Sequence, residues 1–159
     1  MIYKYIYIYT YKYIYLYTYI QMDVGKLLHA LNNEANEAIV DLDYAQIAKE
    51  KNDILQKLRL PKDELKGLHA KLKLYRHVID LDHIRYGSYI RWISLKNPDA
   101  IKLTNGGIIC NIKGIKDDIH ITCKNRMNRM FQLNMADVIV FQKLSEQEQV
   151  ILKALKYLE

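Results

Sequence analysis

The sequence predicts an α+β protein in which an N-terminal helical hairpin precedes a small antiparallel β-barrel, SH3-like or OB-like, closed by a C-terminal helix. Three observations predict it. Apolar residues recur at threes and fours between residues 22 and 82. Short β-type runs separated by turn residues follow between 83 and 143. A capping-box sequence, Ser145-Glu146-Gln147-Glu148, then opens a final amphipathic segment over 144–159.

The first 21 residues stand apart from this plan. Tyrosine occupies every odd position from Tyr3 to Tyr19, and isoleucine fills half of the even ones from 2 to 20. A strand of that length without a turn exceeds ordinary strands, and nine tyrosines with Lys4 and Lys12 disqualify a transmembrane helix. An alternating A/T tract encodes Ile-Tyr in every reading frame, so the segment reads as translated low-complexity DNA, with Met22 starting the working protein. No basic stretch leads into an apolar core and cleavage site, so no secretory signal is expected.

From Asp23, the residues Leu28, Leu31, Ala35, Ala38, Leu42 and Ala45 lie along one helical face, broken at Asn32-Asn33 or continuous. Ile47, Ile54 and Leu58 extend the pattern to Pro61, where Lys62, Asp63 and Glu64 resemble a helix first turn, with proline at N1 and acids at the positive end of the dipole. Leu65, Leu68, Leu72, Tyr75 and Ile79 then form a narrow seam. That seam predicts a coiled-coil arm for a partner or a second copy, centred on Leu65, Leu68 and Leu72, or a hairpin packed on itself or on the β part.

Strands are expected at Ser88–Leu95, Ile101–Thr104, Gly107–Lys113, Ile119–Lys124, Met130–Asn134 and Val138–Lys143. Asn105-Gly106 reads as a type I′ hairpin turn, because both residues tolerate positive φ. Five or six short strands in about sixty residues are too few for a sandwich and fit a bent sheet or barrel.

Charge is unevenly spread within the net +6. Met22–Leu60 carries five basic and seven acidic side chains, whereas Gly87–Lys143 carries nine basic against four acidic, a net of +5. A basic face on a small domain is the footprint of a polyanionic partner. Arg85, Arg91, Lys124, Arg126 and Arg129 are the candidate phosphate contacts, with Tyr86, Tyr89 and Trp92 interleaved among the first of them and Trp92 expected in the core.

No catalytic signature is present: no G-x-S-x-G elbow, Walker loop or H-E-x-x-H. Asp80, Asp82 and His83 form the one acid–histidine cluster, at the junction of helical and β parts. Cys110 and Cys123 are too few for a disulfide framework, and strand alternation separates Cys123 from His120. The expectation is therefore an intracellular, non-enzymatic binding protein without metal, cofactor or membrane span.

The run Tyr86-Gly87-Ser88-Tyr89-Ile90-Arg91-Trp92-Ile93, the segment Lys102-Leu103-Thr104-Asn105-Gly106-Gly107-Ile108, and Val138-Ile139-Val140-Phe141-Gln142-Lys143 resemble a β-rich module of uncharacterised proteins from nucleocytoplasmic large DNA viruses. The resemblance covers roughly Ile84 to Lys143. It implies a viral protein of the host cytoplasm or virion and carries no activity with it.

Overall fold

A computed structural model describes residues 24–156 together with Thr10, Lys12 and Ile14. The rest of the Tyr/Ile leader, and the proposed start at Met22, lie outside the described residues. The described residues divide into two compact units: those up to Asp41 together with those from Glu146 onward, and Leu42–Ser145. Among the described residues no helix is long and apolar enough to cross a membrane.

The first unit contains α1 (residues 24–31), a 3-10 turn at Glu34–Asn36, α2 (Glu37–Val40) and α5 (Glu146–Lys156). The break falls at Asn32-Asn33 because asparagine side chains take over backbone partners there. Asn33 Oδ1 accepts from the Ala35 N–H at 3.1 Å, and the buried Asn36 donates through Nδ2 to the Ala30 carbonyl at 2.8 Å. Gln147 Oε1 accepts from both Asn33 and Asn36, at 2.8 and 2.9 Å, joining α5 to this break. The final helix, α5, falls in this unit and packs against α2.

In the second unit, α3 (Tyr44–Gln56) is capped by Asp43, whose Oδ1 accepts from the Gln46 N–H at 2.6 Å. Next comes α4 (Lys62–Lys71), with Pro61 one position earlier than expected, at the N-cap. The helix does not run on to Ile79. It stops at Leu72, and Tyr75–Val78 forms strand β1, paired with Val140–Lys143. Lys51 explains the stop: its Nζ donates to the carbonyls of Leu72 (2.7 Å) and Tyr75 (3.0 Å), carbonyls a continuing helix would have used itself.

The other strands are β2 (Tyr89–Ser94), β3 (Gly107–Ile115), β4 (Asp118–Lys124), β5 (Met130–Asn134) and β6 (Val138–Lys143). They form one antiparallel sheet in the order β1-β6-β2-β3-β4-β5. The expected barrel is thus an open sheet, with β1 and β5 at its edges. It is nevertheless curled. Trp92 on β2 and Phe131 on β5 lie three strands apart, roughly 14 Å across a flat sheet, yet their ring centroids are 6.1 Å apart.

Alternation gives each face its own core. Val78, Ile90, Trp92, Ile109, Ile121, Cys123, Leu133 and Val140 fill the concave face. Ile93, Ile139 and Phe141 line the other, beneath Leu55, Leu68 and Leu72 of the helices. The leucine seam is therefore taken up within the chain: Leu68 and Leu72 are buried and Leu65 is half-buried against the sheet. Burying each such leucine contributes about 1.5–3 kcal/mol.

Asn105-Gly106 is not a hairpin turn. Leu103 bridges Ile93, Thr104 N donates to the Trp92 carbonyl, and Gly107 pairs with Ile90, so the chain runs along one edge of β2 in a single direction and kinks at Gly106. Gly106 has φ +88°, and a Cβ there would overlap the Ile90 carbonyl oxygen. Only glycine permits so close an approach.

Candidate nucleic-acid interface

The kink and the curl together leave a concavity of about 1030 Å³ in the second unit, between the 100–106 segment and the β4–β5 turn. Its lining combines four cations, Arg91, Lys102, Arg126 and Lys143, with four rings, Tyr75, Tyr89, Trp92 and Phe131. No aspartate or glutamate lines it.

Each group is positioned by local chemistry. Thr104 fastens the wall: its N–H donates to the Trp92 carbonyl at 3.0 Å, its hydroxyl oxygen accepts from the Trp92 N–H at 3.1 Å, and its carbonyl accepts from Arg91 Nε at 2.8 Å. Tyr89 donates its hydroxyl to the Asn105 carbonyl at 2.7 Å. Across the opening, Asn125 organises the β4–β5 turn. Its Oδ1 accepts from the N–H groups of Met127 (2.9 Å) and Arg129 (3.0 Å), and Asn128 takes the left-handed conformation at φ 57°. Arg126 and Met127 are thereby presented at the rim.

The electrostatics agree with this convergence. Burial pushes the Tyr75 phenol above its usual pKa, Arg91 draws it down, Tyr89 raises it and Arg126 draws it down again. Side chains from β1, β2 and the β4–β5 turn thus act on a single hydroxyl. Lys102, Arg126 and Lys143 are exposed, and among the described residues their side chains make no hydrogen bond or ion pair.

Of the five cations expected from the sequence, Arg91 and Arg126 line the concavity. Lys124 and Arg129 are exposed on the same hairpin but outside the lining. Arg85 is also outside the lining, and its backbone N–H donates to Gln142 Oε1 at 3.0 Å. Sequence reasoning missed Lys102, Lys143, Tyr75 and Phe131. Tyr75 was hidden by its helical spacing, and the others gain meaning only from strand order, which brings residues 75, 102, 131 and 143 together.

Asp80, Asp82 and His83 line neither this concavity nor a second one of about 590 Å³ around His29 and Gln147. The His83 carbonyl instead accepts from Arg76 Nη2 (3.1 Å) and Gln142 Nε2 (3.0 Å), a structural tie. Cys123 is buried and its thiol is pushed up to about 11 by burial, while Cys110 is exposed at the β3 bulge. Among the described residues no three His, Cys, Asp or Glu side chains gather as metal ligands.

Compared with protein-family models, curated proteins and solved structures, the chain matches none of them.

Proposed function

We propose that this chain is a non-enzymatic nucleic-acid-binding protein that holds its ligand at the basic, ring-lined concavity of its sheet. One observation carries the reading: four cations and four aromatic rings line one concavity, with no carboxylate among its described lining residues. Cations there neutralise phosphates and release counterions, and rings offer stacking surfaces to bases. Arg91, Arg126, Lys102 and Lys143 are the charged contacts in this reading, with Lys124 and Arg129 extending the field along the hairpin. The curled sheet reads as an open relative of SH3-like or OB-like barrels, an analogy of architecture that favours binding over catalysis. With residues 84–143 resembling proteins of large DNA viruses, the ligand in this reading is viral nucleic acid.

The test is fluorescence anisotropy of labelled DNA and RNA oligonucleotides titrated with the protein from about 50 to 200 mM salt. Binding that weakens steeply with salt is expected. Absence of binding at the low-salt end would refute the reading.

A further inference from the structure

The shape of the concavity selects among nucleic acids. We propose that it takes single-stranded rather than duplex nucleic acid, with an unpaired base stacking on Phe131 beside Trp92, and the phosphates following Lys102, Arg126 and Lys143. This rests on the nucleic-acid reading above and narrows it.

Three features carry the choice. The stacking surface is recessed: Trp92 is 7% exposed, and Phe131, 40% exposed, packs beside it at 6.1 Å with a 58° tilt. Duplex bases are already stacked on one another and show only their edges, in grooves that are read by protruding helices or ribbons. A recess of rings is reached only by bases that have left the stack.

The cations come from three separate elements, the segment before Gly106, the β4–β5 turn and the end of β6. They are thus spread over separate elements rather than along a single strand. At about 1030 Å³ the concavity sits at the upper end of the ~300–1,000 Å³ range of small-molecule clefts, room for more than one base.

The rim is also built before binding. Asn125 fixes the turn through two backbone N–H groups, and Thr104 fixes the opposite wall through Trp92 and Arg91. A ligand that is itself flexible gains most from a preorganised receptor.

Trp92 is the only tryptophan in the chain and lines the concavity, so it reports occupancy directly. The experiment titrates the full chain with a thymidine oligonucleotide, a uridine oligonucleotide and a hairpin duplex of equal phosphate number, following anisotropy and Trp92 emission. Either oligonucleotide should bind and change Trp92 emission, with the duplex competing at least about tenfold more weakly. Phe131→Ala should lower single-strand affinity by about tenfold or more, from the loss of one stacked base, and leave duplex binding unchanged. Phe131→Leu keeps apolar bulk without a π face and should lose a similar factor while circular dichroism shows the native fold. Equal competition by duplex, unchanged Trp92 emission, or full affinity in folded Phe131→Leu would overturn the inference while leaving the nucleic-acid reading intact. Failure of every probe to bind would remove both.

Discussion

At the scale of single residues, two positions bear sharp predictions. Gly106 combines φ +88° with a backbone approach that leaves no room for a methyl group beside the Ile90 carbonyl. Gly106→Ala should therefore cost well over 1 kcal/mol, since both conformation and space forbid the side chain. A lowered urea midpoint measures this, and the variant should also lose the wall formed by Thr104. His77 makes a pH prediction. It packs its ring against Phe141 at 5.9 Å, and burial holds its pKa below the ordinary 6.5, with Glu50 raising it and Lys57 lowering it. The unfolded chain then takes up the proton first as pH falls, so stability is full above about 6.5 and declines from there down through the folded-state pKa. Urea denaturation across that interval should show the decline, and His77→Phe should flatten it.

At the scale of elements, Lys51 ties α3 to the junction of α4 and β1. Its lowered pKa reflects desolvation of an amine held by the Leu72 and Tyr75 carbonyls. Lys51→Met removes the donor while keeping the aliphatic stem, and should destabilise by about 1–3 kcal/mol because two carbonyls lose their partner. Thermal unfolding would show it as a lower midpoint. The same junction marks where sequence reasoning failed. Tyr75 and Ile79 continue the leucine spacing, so periodicity alone reads helix; pairing of Tyr75–Val78 with β6, some sixty-five residues along the chain, decides for strand. Strands β2, β4, β5 and β6 were legible within a residue or so because alternation and turn residues are local. Asn105-Gly106 carried the right local message, positive φ, but its partner strand was nonlocal, so a kink along β2 was read as a reversal.

At the scale of the whole molecule, the charge imbalance was legible and its focus was not. Composition assigns the excess to residues 87–143, yet only strand order β1-β6-β2-β3-β4-β5 brings Lys143 and Tyr75 alongside Tyr89 and within reach of Arg126. The barrel was anticipated from strand number, and strand number cannot determine whether a curled sheet closes. Leu68 and Leu72 of the leucine seam are buried against the sheet and Leu65 is half-buried there.

The most direct test of that account is the salt dependence of single-strand binding by the wild type and by a Lys102→Ala, Arg126→Ala, Lys143→Ala triple variant. All three side chains are exposed and carry no hydrogen bond or ion pair among the described residues, so the variant should fold normally. Loss of three phosphate contacts predicts that the slope of log K against log salt becomes shallower by about 2, together with a large loss of affinity at low salt. An unchanged slope in the folded variant would contradict the assignment of the concavity as the nucleic-acid site.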